Sequence, residues 1–376
     1  MRTCVITRGV KMIKKDKNFP KYVQIAEHFK ALILSGNILL GDKLLSESEI
    51  VEKFKVSRHT ARQAIMQLEK EGFIYKEKGR GAFSCYKQKK EGIKNIAVLT
   101  TYISNYIFPD IICGIEEVLS AAGYTLSLFN TNNDKQKEAE YLNKILDCDI
   151  SGLIVEPTMS ALENTNLSLY EELEKRKLPF VMINSKYDEI NPAYVIMDDV
   201  EGGYALTKYL IQMGHRDIAG IFKYDDLQGV NRQQGYMKAL SEFDIDCKEE
   251  YLLKYATVEE EFLPYEFVSN LLRRENKPTA IVCYNDQTAF YVLQAVRDAG
   301  LKVPEEISVV GYDDSDIATA TEMKLTTVRH PKSEMGKRVA RFLINIIENS
   351  EEKPYHIYKP ELIVRNSATI PKVKKE

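Results

Sequence analysis

The sequence predicts an α/β protein in two parts, an N-terminal winged helix-turn-helix followed by a larger two-lobed domain of doubly wound parallel sheets. Three observations lead to this prediction. A basic amphipathic helix, with a short helix before it and a basic hairpin after it, lies within the first 85 residues. Further on, short apolar runs alternate with amphipathic helical segments, and this rhythm occurs twice. The charge is segregated, because residues 1–90 hold 20 Lys and Arg against 9 Asp and Glu, whereas the rest hold 32 against 46.

The stretch 57–68 predicts a helix with one packing face and one polar face. Ser57 is a good N-cap, because its hydroxyl can accept from the free amides of the first turn. Small and aliphatic residues then recur at helical spacing, at Ala61, Ala64, Ile65 and Leu68. The other face carries the donors Arg58, His59, Thr60, Arg62 and Gln63. Donors crowded into the first two turns are typical of a helix that reads base edges in a DNA major groove.

The flanking segments complete a helix-turn-helix. Ser46 and Glu49 have the spacing of a capping box, which predicts a short helix before the polar one. An earlier helix is predicted from Lys21 to about residue 35 by its apolar spacing. Residues 71–83 alternate and then turn at glycine, as a two-stranded wing with a basic tip would.

These elements resemble the GntR class of bacterial regulators. The matching motifs are Lys21-Tyr22-Val23-Gln24-Ile25, Gly41-Asp42-Lys43-Leu44, Ser46-Glu47, Val56-Ser57-Arg58-His59-Thr60-Ala61-Arg62 and Gly79-Arg80-Gly81-Ala82-Phe83. The resemblance implies that residues 19–85 bind double-stranded operator DNA, and that the protein is a homodimer. By the same resemblance the DNA-binding residues are Lys21, Ser48, Ser57, Arg58, His59, Thr60, Arg62, Gly79 and Arg80. The chain departs from the family at Leu45, where Pro is usual, and at Ser48, where many members have Arg, which leaves the base contact at Ser48 open.

The remaining chain predicts a linker and then the larger domain. Residues 86–94 are charged and lack apolar periodicity, so we expect a linker there. In the domain 95–376 the predicted strands are 96–100, 124–129, 152–155, 180–183, 218–222, 280–283 and 307–310. The predicted helices are 111–122, 138–146, 231–240 and 288–299. Such alternation predicts mostly parallel strands in two lobes, with a ligand at the carboxyl ends of the strands.

Polar side chains gather at those predicted strand ends. They are Thr101-Tyr102, Glu156, Asn184, Asp198-Asp199, Asn231-Arg232, Asn285-Asp286 and Asp313-Asp314, with Tyr102, Tyr106 and Phe108 nearby. Paired donors and acceptors beside aromatic faces suit a neutral polyhydroxylated ligand such as a sugar. For any single residue the alternative is that Asp and Asn simply cap the following helix. Their joint placement favours a ligand site.

The larger domain resembles the LacI/GalR family, which shares the fold of the periplasmic sugar-binding proteins. The matching segments are Asn231-Arg232-Gln233-Gln234-Gly235-Tyr236, Cys283-Tyr284-Asn285-Asp286, Val303 to Val310, Gly311-Tyr312-Asp313-Asp314, Leu325 to Pro331 and Gly336 to Leu343. By this resemblance the effector-binding residues are Arg232, Asn285, Asp286, Asp313 and His330. Tyr102, Tyr106 and Glu156 are added to these effector-binding residues by their strand-end position and by a second, narrower resemblance to a group of sugar-responsive repressors. Asp198 and Asp199 stand where Asp-Asn is more usual, and their role is left open.

A GntR-type head on a LacI/GalR-type body is a rare combination that resembles the arabinose-responsive repressors of Gram-positive bacteria. The resemblance implies a repressor of carbohydrate-utilisation genes that a sugar effector, L-arabinose first, releases from its operator without any cofactor. Another pentose, a galactose-type sugar or a nucleoside are the alternative effectors. The sequence names neither the operator nor the regulated genes.

Composition predicts a cytoplasmic protein. The six cysteines are scattered without a Cys-x-x-Cys pair, which fits a reducing compartment better than a disulfide framework or a zinc site. No apolar run approaches the ~18 residues of a membrane span. Residues 1–18 are basic without an apolar core or cleavage signal, so we expect a disordered arm, or an over-extended gene start with Met12 as the true one. A cationic head on an acidic body suits a polyanion such as DNA.

Catalytic and transport functions fit the sequence less well. The five histidines are too dispersed for metal-ligand spacing, and no glycine-rich phosphate cradle follows a strand. Glu156 and Asp286 could form an acid/base pair, but a binding role explains these carboxylates as well. A transporter-linked sugar-binding protein would need an export signal where this chain has a basic head. We therefore predict a regulator with no catalytic residue and no metal.

Overall fold

The chain divides into two compact units, Met1–Gly92 and Ile93–Glu376. The computed structural model describes residues 20–35, 37–77, 80–85, 94–104, 106–320, 322–349 and 353–372. The predicted N-terminal arm, Gly79 of the wing and all but the last residue of the predicted linker lie outside the described residues. No helix in the described ranges is both long and apolar enough to cross a bilayer.

The first unit is a helix-turn-helix followed by a two-stranded hairpin. Its elements are α1 (Lys21–Leu34), α2 (Glu47–Phe54), α3 (Arg58–Lys70), β1 (Ile74–Glu77) and β2 (Gly81–Ser84). The strands pair antiparallel, with Ile74 opposite Ser84. The core lies between the three helices and the hairpin, and it includes the fully buried Phe29, Ile50 and Leu68.

Side-chain caps fix where the helices of the first unit begin. The Ser57 hydroxyl accepts from the amide of Thr60, so α3 starts at the predicted residue. The Ser46 and Glu49 capping box opens α2, as predicted. Lys55 ends α2 in the left-handed conformation, with φ of 52°, and this makes the tight turn into α3.

The second unit alternates strands and helices. Its helices are α4 (Phe108–Ala121), α5 (Lys135–Asp147), α6 (Leu167–Lys175), α7 (Asp199–Gln212), α8 (Leu227–Glu242), α9 (Leu263–Leu271), α10 (Asp286–Asp298) and α11 (Lys332–Asn349). Its strands are β3 (Lys94–Thr100), β4 (Tyr124–Asn130), β5 (Gly152–Val155), β6 (Phe180–Ile183), β7 (Ala193–Met197), β8 (Ile218–Lys223), β9 (Leu252–Tyr255), β10 (Ala280–Cys283), β11 (Ser308–Val310), β12 (Thr327–Arg329), β13 (Tyr355–Tyr358) and β14 (Glu361–Ile363).

These strands form two parallel sheets and one short ribbon. The first lobe is built on the six-stranded sheet β13-β7-β6-β5-β3-β4. The second lobe is built on the four-stranded sheet β11-β10-β8-β9. Strands β12 and β14 pair antiparallel. The chain passes between the lobes after β7, after β12 and after β13, and together these three crossings are the hinge.

The predicted fold class is confirmed, while several helix boundaries were wrong. Helix α5 begins earlier than predicted because Asp134 caps it, and α8 begins four residues earlier because Asp226 accepts from the amide of Gly229. Arg232 therefore lies in the second turn of α8 and not at a strand end. The prediction also missed the elements α6, α7, α9, α11, β7, β9, β12, β13 and β14.

Helices α7 and α8 touch backbone to backbone through glycine. A Cβ on Gly203 would lie 2.1 Å from the carbonyl oxygen of Arg232, and a Cβ on Gly235 would lie 2.0 Å from the carbonyl oxygen of Val200. No larger residue fits without moving a helix, because protein interiors are close-packed. This approach brings Arg232 on α8 beside Asp199 at the start of α7.

The first lobe has a matching contact between α4 and α11. A Cβ on Gly114 would lie 2.3 Å from the carbonyl oxygen of Ser333, and one on Gly336 would lie 2.2 Å from that of Ile111. Each lobe is thus locked by one helix crossing that only glycine permits.

Replacing Gly235 with Ala should destabilise the second unit. The added methyl has no space at the α7–α8 crossing, so the free energy of unfolding should fall by about 1–3 kcal/mol. Urea denaturation followed by circular dichroism measures this. The matched control is Gln234→Ala, an exposed neighbour on the same helix, which should change stability by less than about 0.5 kcal/mol. Equal stability of the two variants would show that the crossing tolerates a side chain.

Candidate functional site

The first unit presents the polar face of α3 to solvent. Arg58, His59 and Arg62 are exposed, whereas Ala61 and Leu68 of the same helix are completely buried. The predicted division of α3 into a packing face and a polar face is therefore present. An exposed helix face with donors in its first two turns is suited to contact with a major groove.

Arg62 is already paired within the unit. Its Nε and Nη2 donate to the two carboxylate oxygens of Glu47 at the start of α2, at 3.2 and 3.3 Å. This pairing raises the pKa of Arg62. The arginine side chain is 64% exposed, and an exposed ion pair contributes little stability, so the guanidinium can exchange Glu47 for a base edge or a phosphate.

The other predicted DNA-binding residues have different environments. Lys21 is the exposed first residue of α1, and Ser48 is exposed on α2. Arg80 is exposed at the hairpin and pairs with Glu77. The Ser57 hydroxyl bonds both the amide and the hydroxyl of Thr60, so this pair has a local role in starting the helix.

In the second unit a cavity of about 210 Å³ lies in the cleft between the two lobes. Seven of the eight predicted effector-binding residues line it, namely Tyr102, Tyr106, Glu156, Arg232, Asn285, Asp313 and His330. They come from both lobes and from the hinge, and all but the arginine lie at or after strand ends. Ligands of open α/β sheets bind at this position in the fold.

Asp286, the eighth residue, does not line the cavity. It is completely buried beneath the cavity, where its carboxylate accepts from the amide and hydroxyl of Ser315 and from the hydroxyl of Thr327. Burial raises its pKa to about 7. A Cβ on Gly311 would touch this carboxylate at 2.3 Å, so the group is sealed in. Asp286, which the sequence assigns to the effector, therefore has its carboxylate engaged by Ser315 and Thr327 of the protein itself.

Arg232 is the central cation of the cavity and is 4% exposed. Its Nε donates to Asp199 at 2.8 Å, its Nη1 to the carbonyl oxygen of Tyr284 at 2.9 Å, and its Nη2 to Asp313 at 3.4 Å. The guanidinium stacks 3.6 Å from the centre of the Tyr312 ring. Since a guanidinium has five N–H donors, one remains on each terminal nitrogen for a ligand.

The two aspartates beside Arg232 differ in their constraints. Burial raises the pKa of Asp199 to about 6, and the guanidinium offsets that effect only in part. Asp313 adopts φ of 97°, a backbone conformation that costs a non-glycine residue of order 1–3 kcal/mol. Asp199, whose role the sequence leaves open, accepts a hydrogen bond from the guanidinium of Arg232. Its neighbour Asp198 caps α7 by accepting from the amide of Glu201.

Glu156 and His330 form a polar wall on the side of the first lobe. The Glu156 carboxylate accepts from the amide and hydroxyl of Thr101 and from the Asn184 amide group, and burial raises its pKa. Burial lowers the pKa of His330 to about 4, so its imidazole is neutral at pH 7. Its Nε2 contacts Asn184 at 3.3 Å, while its buried Nδ1 has no protein partner. A buried polar atom in this position requires a partner, which a ligand or water can supply.

Aromatic rings cover the remaining apolar side. Tyr102 and Phe108 pack together with ring centres 5.7 Å apart, and both line the cavity. The Tyr106 hydroxyl lies within 2.9 Å of the Tyr312 carbonyl oxygen and 2.8 Å from Asp313, and it accepts from the amide of Asp286. Tyr106 therefore offers a ligand its ring face, because its hydroxyl is used to join the first lobe to the second.

The prediction missed several lining residues on the second lobe. They are Lys223, Asp226, Gln228, Thr257, Glu260, Glu261 and Gln287, to which Asn133 of the first lobe is added, whereas Asn184, which also lines the cavity, was among the polar residues predicted at the strand ends. Lys223 pairs with Glu260 at 3.1 Å, and Asp226 accepts from the Tyr284 hydroxyl. The strand-end rule could have found Lys223 and Asp226, since they end and follow β8.

Glu156 and Asp286 do not face one ligand as an acid/base pair would, because Glu156 lines the cavity while Asp286 is sealed beneath it. Within the described ranges no three His, Cys, Asp or Glu residues gather closely enough to hold a metal ion. What the cavity provides is a set of fixed donors, acceptors and ring faces, which is the chemistry of binding.

Two family profiles match the chain. The profile "bacterial regulatory proteins, gntR family" matches residues 21–83. The profile "periplasmic binding protein-like domain" matches residues 207–368. A solved structure of a LacI family transcriptional regulator from Enterococcus faecium with bound ribose aligns with a TM-score of 0.64 at 26% identity, covering 74% of this chain and 100% of that one.

Two relatives match over nearly their whole length. An arabinose metabolism transcriptional repressor of Geobacillus stearothermophilus is 48% identical over 359 residues, covering 94% of this chain and 99% of the relative. A repressor of the same description from Halalkalibacterium halodurans is 43% identical over 368 residues, covering 94% and 98%. Both are described as transcriptional repressors, in agreement with the regulator predicted from sequence. The chain therefore belongs to the family of the arabinose metabolism transcriptional repressors, with a GntR-type helix-turn-helix joined to a periplasmic-binding-protein-like domain.

Proposed function

We propose that this chain is a cytoplasmic homodimeric repressor that leaves its operator when L-arabinose fills the cavity of the second unit. The observation that carries the proposal is Arg232, buried between two aspartates with two N–H groups unused. A pair of neutral sugar hydroxyls can accept from those two N–H groups and donate to the remaining lone pairs of the two aspartate carboxylates. The relatives' description as arabinose metabolism repressors supports the choice of sugar.

The charge of the cavity supports a neutral ligand. Among the lining residues that the structure describes, six carry carboxylates, whereas the positive charges come from Lys223 and Arg232, which are already paired with acidic partners. A sugar phosphate or sugar acid would add like charge in a buried site, which is unfavourable. Hydroxyl groups fit the many acceptors, and the C–H face of a sugar ring fits the aromatic side.

Sugar binding would act on DNA through the arrangement of the lobes. Contacts from both lobes to one sugar favour their closed arrangement, and a sugar can shift the equilibrium only by its preference for that arrangement. A preference of ~2 kcal/mol shifts the balance ~30-fold, since each 1.4 kcal/mol is tenfold. Release follows if the closed arrangement holds the two DNA-binding units at a spacing that the operator does not match.

On the DNA side, we propose that Arg58 and Arg62 contact bases or phosphates. Lys21, Ser48, His59, Thr60, Gly79 and Arg80 would add contacts from α1, α2, the rest of α3 and the wing, while Ser57 fixes the start of α3. Residues 19–85 would form the DNA-binding domain, residues 86–94 the linker and residues 95–376 the effector domain. The excess of basic residues before residue 90 supports this assignment, because phosphate contacts dominate affinity for DNA.

Titration of the purified protein with a panel of ligands tests the effector. We expect L-arabinose to bind most tightly by isothermal calorimetry, and to release a labelled operator duplex over the same concentration range. The panel also contains D-xylose, D-ribose, D-galactose and adenosine, which represent the alternative effector classes. Tighter binding of one of these would replace L-arabinose in the proposal, and binding of none would reject a small-molecule switch of this kind.

Replacing Arg232 with Lys tests the cavity. Lysine keeps the positive charge beside Asp199 and Asp313 but loses the planar fork, so sugar affinity should fall at least about tenfold while operator affinity is unchanged. The matched control is Arg216→Lys, on the same lobe, whose guanidinium donates to the backbone oxygens of Ile211 and His215. Normal sugar response in the Arg232 variant would show that the site is misplaced.

Replacing Arg62 with Ala tests the DNA interface. Operator affinity should fall about 5- to 150-fold at fixed salt, corresponding to about 1–3 kcal/mol, with sugar affinity unchanged. Lys70→Ala is the control, since it removes an exposed positive charge from the other end of α3 and should alter operator affinity less than about twofold. If both variants behave alike, the arginine contributes general charge only. If Arg62→Ala loses sugar binding too, its role lies in the fold.

The homodimer is tested by mass in solution. Two recognition helices would enter successive major grooves ~34 Å apart on a pseudo-palindromic operator. Light scattering at micromolar concentration should therefore give twice 43.1 kDa without operator, and that mass plus the mass of one duplex with it. A 43.1 kDa species that still occupies both half-sites independently would contradict the dimer.

A further inference from the structure

A hydrogen bond joins the lobes at the rim of the cleft, away from the hinge. Ser160 of the first lobe accepts from the amide of Leu227 at 2.9 Å. Leu227 is the first residue of α8, the helix that carries Arg232. Ser160 is 7% exposed and is not among the residues that line the cavity. Its contact with the second lobe is therefore separate from contact with any ligand.

The bond completes the cap of α8 from the opposite lobe. The first amides of a helix have no partner within the helix. Asp226, in the second lobe, takes the amide of Gly229, and Ser160 takes that of Leu227. One half of the cap therefore depends on the lobes being together, because opening the rim would remove the partner of Leu227.

Asn133 provides a second bond at the same rim. Its Nδ2 donates to the Thr257 hydroxyl of the second lobe at 2.9 Å, and its Oδ1 accepts from the amide of Met159, beside Ser160. The amide of Thr257 donates in turn to Asp225 at 2.7 Å. The rim contact thus involves both sides of the cleft in a connected set of hydrogen bonds.

A buried glutamate fixes the shape of the first-lobe side. Glu138 is completely buried on α5, and it accepts from the Tyr170 hydroxyl, the Asn166 amide group and the amide of Thr158. The Tyr187 hydroxyl donates to the carbonyl oxygen of Thr158. These hydrogen bonds to Thr158 hold residues 158–161 in place within the first lobe, independently of their contacts with the second lobe.

We propose that residues 158–161, which we call the rim clasp, hold the lobes closed over the sugar by capping α8 across the cleft. Ser160 is a positioning residue in this scheme, because it acts on the helix that carries Arg232 and does not touch the sugar. The inference rests on the proposed function, in which a sugar fills the cavity.

The test compares Ser160→Ala with Ser168→Ala in the full chain. Ser168 is an exposed serine of the same lobe, on α6, so its loss matches the chemical change without affecting the clasp. Without any sugar, hydrogen exchange at the amide of Leu227 should become faster in Ser160→Ala alone. With L-arabinose, the dissociation constant should rise about fivefold in Ser160→Ala and stay within twofold of the parent in the control.

The outcomes separate the clasp from a general effect on folding. Unchanged exchange at Leu227, or faster exchange with unchanged sugar affinity, overturns the clasp. A fall of several degrees in the unfolding temperature of sugar-free Ser160→Ala also overturns it, since that result means a structural role. If the parent protein binds none of the sugars, the proposed function fails and the role of the clasp fails with it. Binding by the parent with an unaffected variant rejects the clasp alone.

Discussion

The buried ion pairs of Arg232 with Asp199 and Asp313 set the constraint on which the second unit depends. Three charged side chains share a buried position at the junction of α7, α8 and the segment that leads to the hinge. Removing one charge from such a group leaves the others uncompensated, which is strongly unfavourable. The glycine contact between α7 and α8, and the positive φ of Asp313, are both consistent with a fold that keeps these groups together.

This arrangement also explains how a neutral ligand could be recognised in an acidic cavity. The guanidinium is oriented by its protein partners, so its two remaining N–H groups point in fixed directions and lose little freedom on binding. Burial keeps His330 uncharged, which allows its free Nδ1 to take part in a hydrogen bond with a hydroxyl. Recognition of the ligand's hydroxyl groups therefore depends more on the positions of the donors and acceptors than on the net charge of the cavity.

Local physics was sufficient to predict the first unit, and long-range packing explains what was missed in the second. The caps at Ser46 and Ser57 involve residues three positions apart, so sequence spacing reveals them. Buried strands such as β5 and β10 are short apolar runs that need no partner to be recognised. By contrast, β13 is a half-exposed edge strand whose sequence lacks a continuous apolar run. It pairs with β7 of the first lobe although the whole second lobe lies between the two strands in sequence. Asp286 stands next to Asn285, which lines the cavity, yet it points to Ser315 and Thr327; no rule of spacing distinguishes the two neighbours.

The glycine crossings have a consequence for how motion spreads through the effector domain. Helices in contact through their backbones cannot slide past each other without a clash, so neither lobe can absorb a displacement by internal shear. Each lobe then moves as a rigid body, and bending is concentrated in the three chain segments that cross between the lobes. A small displacement at the cleft is therefore transmitted to the surface of each lobe that lies farthest from the cleft.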